Sequence, residues 1–170
     1  MDTTTAGLPV DGLDVRLADM LGAGALMSVV ADEAAVAEAA VDGALDSGQS
    51  VRLGLGAAAA SVSRADFVRL LATELELGRC ERQPRRPADV EDQIEAELAR
   101  REQVLVVVHG AHRMLTESLE WLYSIWSRAS TSGTHLSVVL TASPRLDRIL
   151  ARPALADLRS CLLIQHRISA

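Results

Sequence analysis

The feature that most constrains the fold is a run of five aliphatic residues, Val104-Leu105-Val106-Val107-Val108, with no polar position. Most of these residues are β-branched, and β-branched side chains favour extended backbone. A strand with one solvated face alternates apolar and polar residues, and this run does not alternate. The run therefore predicts a central strand of a parallel sheet that is covered by helices on both faces.

Strand and helix patterns alternate along the rest of the chain. Further strands are predicted at 51–55, 136–141 and 162–164, and amphipathic helical patterns lie between them. Strands separated by helices form right-handed βαβ units in a parallel sheet. The predicted fold class is α/β, a three-layer parallel sheet with helices on both faces, with 51–55 central between the last two strands in sequence.

The domain organisation is predicted to be simple. We expect an N-terminal extension at 1–30 and a single α/β domain at 31–170. The segment 14–27 has two interpretations, a docking segment for a partner or a helix packed on the sheet edge. Nothing in the pattern indicates an internal repeat or a second domain.

Charge and composition narrow the classes of function. Residues 1–50 carry nine acidic residues and a single base, Arg16, and the net charge of the chain is −6. This balance disfavours unaided binding to nucleic acid, so nucleic acid is expected only indirectly, although arginine clusters at 79–86 and 145–159 remain candidates for phosphate contact. Two cysteines and no signal pattern predict a cytoplasmic protein, and no apolar run of about 20 residues predicts a membrane span.

The loop after the predicted strand 51–55 matches part of a phosphate-binding motif. A P-loop reads Gly-x-x-x-x-Gly-Lys-Ser/Thr, and this chain has Gly56, four alanines, Ser61, Val62 and Ser63. The first glycine, the spacing and the final hydroxyl are present, whereas the second glycine and the lysine are replaced. The motif's lysine neutralises the outer phosphates, and this chain contains no lysine. We therefore predict no bound cofactor, or at most weak binding of ATP and Mg²⁺.

The segment after the central strand carries a family resemblance. His109-Gly110-Ala111-His112-Arg113-Met114 resembles the Asp-Glu-Ala-His/Gln-Arg-Leu/Met signature of AAA+ ATPases, with His109 and Gly110 in place of both acids. Segments 119–126 and 137–146 resemble the helix and sensor strand of a bacterial AAA+ group that includes transposition helpers of the TniB type and secretion ATPases of the ExeA type. The resemblance covers about residues 30–168. It implies a P-loop NTPase core of the AAA+ type.

The same resemblance implies roles for further residues. A polar residue at Thr141 or Ser143 would sense the γ-phosphate. Segment 152–161 resembles the part of the family that carries the trans-acting arginine finger, with Cys161 at the finger position and Arg159 two residues earlier. Both acids that would support Mg²⁺ and orient water are replaced, and the family's C-terminal helical lid is expected to be missing.

These losses predict a pseudo-ATPase with no catalytic residues and no metal. The first hypothesis is an interaction or regulatory protein that docks on a protein partner or an active AAA+ relative. The second is an ATP-binding helper of DNA transposition or a related DNA process, and the third is an α/β domain that binds another anion at the loop 54–63. His109 and His112 form an H-x-x-H pattern, which lacks a third metal ligand nearby and is interpreted as a remnant of the acidic signature.

Overall fold

The computed structural model describes residues 12–45, 50–55, 61–77 and 86–168 of the chain. These residues form one five-stranded sheet flanked by helices. The strands are β1 (Leu26–Ala31), β2 (Ser50–Gly54), β3 (Gln103–His109), β4 (His135–Ala142) and β5 (Leu162–Ile168). The helices are α1 (Leu13–Ala23), α2 (Ala34–Ala44), α3 (Arg64–Glu74), α4 (Pro87–Ala99), α5 (Thr116–Ser132), α6 (Arg145–Leu150) and α7 (Ala156–Cys161), with 3₁₀ turns at Ala111–Arg113 and Pro153–Leu155.

The sheet is parallel throughout, in the order β2-β3-β4-β1-β5. The aliphatic run of β3 pairs with β2 on one side and β4 on the other, with Val107 opposite Arg52 and Val139. The predicted α/β class and the predicted parallel sheet are therefore confirmed.

Alternate side chains of β3 enter two separate apolar clusters. Val104, Val106 and Val108 face α3, α4 and α5, whereas Leu105 and Val107 face α1 and α2. Both faces of the strand are covered, and this explains why its sequence does not alternate. No helix among the described residues has the length and apolar character needed to cross a bilayer.

The predicted central position of 51–55 is wrong, because β2 is an edge strand that pairs with β3 alone. Only Leu53 of this strand is buried. The alternation of Val51, Arg52 and Leu53 is typical of a strand that is partly exposed, as edge strands are.

The interior of the sheet contains a strand that the sequence patterns do not predict. All six residues of β1, Leu26–Ala31, are buried, and the strand pairs with both β4 and β5. The segment 1–30, predicted as an extension, therefore contributes a strand to the sheet. It also contains α1, which packs against β3, β4 and α2 on the sheet face and not on the sheet edge.

Candidate functional site

The strand order fixes where a ligand would lie. In an open α/β sheet the ligand crevice lies outside the carboxyl ends of the strands, at the point where the direction of the chain across the sheet reverses. The chain leaves β1 through α2 on one face and leaves β4 through α6 and α7 on the other, and β1 and β4 are neighbours. The crevice therefore lies beyond Ala31 of β1 and Ala142 of β4, and we call it the switch-point crevice.

The connection from β1 to α2 consists of Asp32 and Glu33, and α2 begins at Ala34. A phosphate-binding loop joins a strand to a helix in the same way. Counted from the first residue after β1, Asp32 and Ala37 take the two glycine positions of the motif and Glu38 takes the lysine position. Alanine has the highest helix propensity of all residues, so residues that would form the loop are part of the helix instead.

Carboxylates occupy the place where a P-loop protein receives phosphate. Asp32 and Glu33 are exposed at the N-terminus of α2, where free backbone N–H groups bind anions in other proteins. Acidic side chains at this end stabilise the helix through its dipole, but they repel a polyphosphate. Glu38 adds a negative charge at the motif's cationic position. This side of the crevice therefore carries three carboxylates.

The loop that the sequence analysis interpreted as a P-loop follows the edge strand β2, and its Gly56 lies outside the described residues. Val62, at the predicted lysine position, is 3% exposed and belongs to the core. Its N–H donates to the carbonyl of Arg113 at 2.8 Å, and its carbonyl accepts from Ser118 Oγ at 2.8 Å. The structure does not bring Val62 to the switch-point crevice.

The hydroxyl predicted to end the motif caps a helix. Ser63 Oγ accepts from the backbone N–H of Asp66 at 3.2 Å and donates to its carboxylate at 2.7 Å. The N–H of Arg64 donates to Glu117 Oε1 at 3.3 Å. The chain's own acids thus supply acceptors at the start of α3, next to the exposed Ser61. An anion at this loop, the third hypothesis, would have to displace them.

His109, at the end of β3, is one member of a chain of four side chains. Its Nδ1 lies 2.9 Å from Thr141 Oγ1, and its Nε2 lies 3.1 Å from Asp42 Oδ1. The same carboxylate oxygen accepts from Arg52 Nη1 at 2.9 Å. We call Arg52, Asp42, His109 and Thr141 the strand-end network. The sequence analysis missed Asp42 and Arg52, since only the folded sheet brings them to a histidine 67 residues after Asp42.

The partners of His109 determine its neutral tautomer. An ionised carboxylate only accepts hydrogen bonds, so Nε2 carries the proton that is donated to Asp42. In the neutral form Nδ1 is then the acceptor, and the hydroxyl of Thr141 donates to it. Thr141 is fully buried. The predicted γ-phosphate sensor is therefore engaged with a side chain of its own protein.

Gly110 has a backbone conformation that suits glycine. Its φ of 79° and ψ of 31° lie in the left-handed region. A Cβ at this position would lie 3.2 Å from the carbonyl oxygen of Leu55. This is the position at which the family signature carries its second acid, so the local backbone here is adapted to the absence of that acid.

His112 lies on the other side of the crevice. Its Nδ1 accepts from the backbone N–H of Ser143 at 3.3 Å. Burial lowers the pKa of His112, and the nearby positive charges of Arg113 and Arg145 lower it further. Ser143 Oγ is buried and has no hydrogen-bond partner among the described residues. His112 thus holds the turn after β4 in its neutral form.

The lowered pKa of His112 predicts a pH-dependent stability. The unfolded chain, in which this histidine has its ordinary pKa near 6.5, binds the proton more readily than the folded chain. The contribution of His112 is therefore fully present above that pH and is lost as the pH falls below it toward the folded pKa. We expect the urea midpoint to fall between pH 7.5 and 5.5, and to fall less in His112→Asn, whose side-chain oxygen can still accept from Ser143.

The control for this experiment is His166, whose pKa is also lowered, first by burial and then by Arg16. His166→Asn should reduce the pH dependence independently, and the double variant should reduce it further. An unchanged pH dependence in His112→Asn would contradict the prediction.

The predicted finger region lies at the opposite end of the sheet. Arg159 and Cys161 are on α7, which leads into the amino end of β5. Cys161 Sγ lies 3.9 Å from Tyr123 Oη, and Arg159 is exposed. The structure does not bring either residue to the crevice of its own chain, and a finger that acts in trans stays a prediction.

The H-x-x-H pattern is divided between different partners. His109 contacts Asp42 and Thr141, whereas His112 contacts Ser143. Within the part of the chain that the structure describes, no group of three or more His, Cys, Asp or Glu side chains could hold a metal ion.

A cavity of about 320 Å³ lies between α4 and α5. Leu98 and Ile125 are among its apolar walls, and Thr134 lies at its end near the start of β4. Glu95 and Arg128, which also line it, form an ion pair at 2.5 Å. Because β3 and β4 begin at this end, the cavity is separate from the switch-point crevice.

Comparison with known proteins agrees with this geometry. The model of a family described as AAA domain matches residues 29–150. The chain belongs to this AAA domain family. The match begins inside β1, so the first strand–helix unit of the AAA domain is β1–α2. No curated protein matches this chain significantly.

Solved structures share the fold at low sequence identity. Cdc6p from Pyrobaculum aerophilum superposes with a TM-score of 0.70 at 12% identity, over 93% of this chain and 43% of that one. The ORC2 protein of Aeropyrum pernix in its ADP form gives 0.62 at 11% identity, over 99% and 51%. Drosophila ORC bound to AT-rich DNA and Cdc6 gives 0.55 at 15% identity, over 94% and 53%. The AAA domain thus has the AAA+ P-loop NTPase fold and spans about half the length of these chains.

Proposed function

We propose that this AAA domain has lost ATP hydrolysis and acts in the cytoplasm as an interaction or regulatory protein, docking on a protein partner such as an active AAA+ relative. The observation that carries the proposal is the β1–α2 connection. Counted from the end of β1, Asp32 and Glu33 stand at the start of the phosphate-binding loop and Glu38 at its lysine position. A domain that keeps its fold but has lost its ligand site can still bind protein partners through its surface.

The charge at the lysine position of the motif is reversed. ATP brings about four negative charges into a P-loop, where a lysine and a metal ion offset them. Replacing the lysine with Glu38 changes the local charge by two units, and Asp32 and Glu33 act in the same direction. Solvent and salt screen exposed carboxylates, which reduces the repulsion without changing its sign.

The catalytic elements are lost in the same crevice. By the resemblance, His109 stands where an acid would support Mg²⁺, and its Nε2 is hydrogen-bonded to Asp42 in the strand-end network. Gly110 stands where a second acid would orient water, and Thr141 donates to His109 and is not available to phosphate. Binding and chemistry are thus both disfavoured, and these changes have one common explanation in a function that does not use ATP.

Titration calorimetry with ATP, ADP and adenosine, each with and without Mg²⁺, tests the loss of nucleotide binding. We expect no ATP turnover and ATP affinity no tighter than about 1 mM, which corresponds to about −4 kcal/mol. Asp32→Gly, Ala37→Gly and Glu38→Lys combined should strengthen ATP binding. The control Glu74→Lys makes the two-unit charge change of Glu38→Lys at an exposed position of α3, and it should not strengthen ATP binding.

Micromolar ATP affinity that depends on Mg²⁺ in the native chain would overturn the proposal. Docking is measured separately, by adding the chain to a purified AAA+ ATPase from the same genome. A changed ATPase rate of that relative, with complex formation in sedimentation, is the expected result.

A second candidate is an ATP-binding helper in DNA transposition or a related DNA process. One solved structure with the same fold is ORC bound to AT-rich DNA and Cdc6, and the sequence resembles a bacterial group that includes transposition helpers. Arg148 and Arg159 are exposed on α6 and α7. DNA binding that weakens steeply with salt and requires ATP would favour this candidate.

A further inference from the structure

We propose that the strand-end network is a clamp that fastens α2 to β2, β3 and β4 without any ligand. In working P-loop proteins a bound nucleotide and its metal connect the first helix to the strand ends. Here side chains of the protein make that connection. The inference rests on the proposed function in one respect, that the switch-point crevice is used without nucleotide.

Each member of the clamp comes from a different element. Asp42 is on α2, Arg52 on β2, His109 at the end of β3 and Thr141 near the end of β4. The contacts run through distances of 2.9, 3.1 and 2.9 Å in a continuous chain. A break at His109 would therefore remove the hydrogen-bonded link between α2 and the ends of β3 and β4.

Arg52 fixes the C-terminal end of α2 as well. Its Nη2 donates to the carbonyl of Leu45, the C-cap residue of α2, at 3.2 Å, and its Nε donates to Ser50 Oγ at 3.0 Å. A C-terminal carbonyl of a helix lacks an intrahelical partner, and a cation there also suits the helix dipole. Arg52 therefore uses all of its three nitrogens to hold α2 and β2 together.

Exposed ion pairs contribute little to stability, and the burial of the network distinguishes it from such pairs. The side chain of His109 is 12% exposed and Thr141 is fully buried, whereas the side chain of Asp42 is 43% exposed. A hydrogen bond strengthens as water is excluded from it, so the His109–Thr141 contact gains more from burial than the Arg52–Asp42 pair does. The clamp holds the last turn of α2, where Asp42 and the C-cap residue Leu45 lie, against the strands.

A double-mutant cycle of Asp42→Ala and His109→Ala, measured by urea unfolding, tests the coupling. We expect the unfolding equilibrium constants to show a coupling of about fivefold or more, since contacting residues in one network couple by that order. Amide hydrogen exchange should show protection in α2 and β2 reduced about tenfold in His109→Ala, with β5 less affected. His135→Ala, an exposed histidine on the neighbouring strand, is the matched control and should change neither.

The ¹⁵N signal of the His109 imidazole reports on its hydrogen bonds, and a role in packing alone would not change it. ¹⁵N spectra of the native chain should show a proton on Nε2, and Asp42→Asn should alter this signal. If His109→Ala does not fold, Asp42→Asn retains the side-chain size and permits the exchange measurement.

An Nε2 without a proton, a coupling below about twofold, or unchanged protection of α2 would overturn the clamp. None of these outcomes bears on ATP affinity, which the calorimetry measures. The clamp and the proposed function can therefore fail independently.

Discussion

Val107→Asp unfolds the domain. Val107 is fully buried in the middle of β3, which pairs with two strands and is covered on both faces. A carboxylate there has no partner, and burying a charge without a partner costs several kcal/mol, comparable to the whole stability of about 5–15 kcal/mol of a small domain. Circular dichroism should show no cooperative melting transition.

The control for this substitution is Val15→Asp, which introduces the same chemistry on α1 at a side chain that is 62% exposed. Surface substitutions of this kind change stability by about 0.5 kcal/mol or less, so Val15→Asp should melt like the native chain. A soluble Val107→Asp protein with a cooperative transition would mean that β3 is not the central strand.

The sequence predicts the central strands where burial on both faces makes their composition largely apolar. A strand covered on both faces is apolar at every position, so β3 and β4 are recognisable in the sequence. β1 is buried to the same extent, but it is short, contains Ser28 and follows the helical pattern of α1 with one glycine between them, Gly24. Its strand character depends on pairing with β4 and β5, which are more than a hundred residues later in the chain.

Because the sequence patterns do not predict β1, they assign the phosphate-binding loop to a later strand. Without β1, the strand 50–54 was the first candidate in the chain, and the loop after it contains a glycine at the right distance from a hydroxyl. The connection that occupies the motif's place in the sheet, Asp32–Ala39, retains neither its glycines nor its lysine. A motif search cannot find a site whose diagnostic residues have all changed, whereas strand order still locates it.

The side chains of the strand-end network could be predicted only in part. The replaced acid at His109 and the polar position at Thr141 were identified because they end predicted strands. Asp42 lies on an alanine-rich helix and Arg52 lies on an edge strand, where charged residues are common and carry no signal. Their contact with His109 follows from parallel pairing and from the packing of α2, which sequence patterns do not specify.

Gly110→Glu is expected to destabilise the domain. Gly110 has φ 79°, and an L-residue in the left-handed region costs about 1–2 kcal/mol. The added Cβ would also lie 3.2 Å from the backbone oxygen of Leu55, which is itself tied to β3 by a bond from its N–H to the carbonyl of His109. We expect Gly110→Ala to lower the unfolding free energy by about 2 kcal/mol and Gly110→Glu by at least as much.

Two other glycines separate the two causes of this loss of stability, the positive φ and the contact with Leu55. Gly133 has φ 84°, and no atom lies within 4 Å of the place that a Cβ would take. Gly133→Ala should therefore lower stability through the backbone conformation alone. Gly43 lies in α2 with the same free space and an ordinary helical φ, so Gly43→Ala should stabilise by about 0.5–1 kcal/mol. If Gly110→Ala lowers the unfolding free energy no more than Gly133→Ala does, the contact with Leu55 does not contribute to the loss. If Gly110→Glu is as stable as the native chain, the backbone after β3 is not adapted to glycine, and the position of the family's second acid is still available for catalysis.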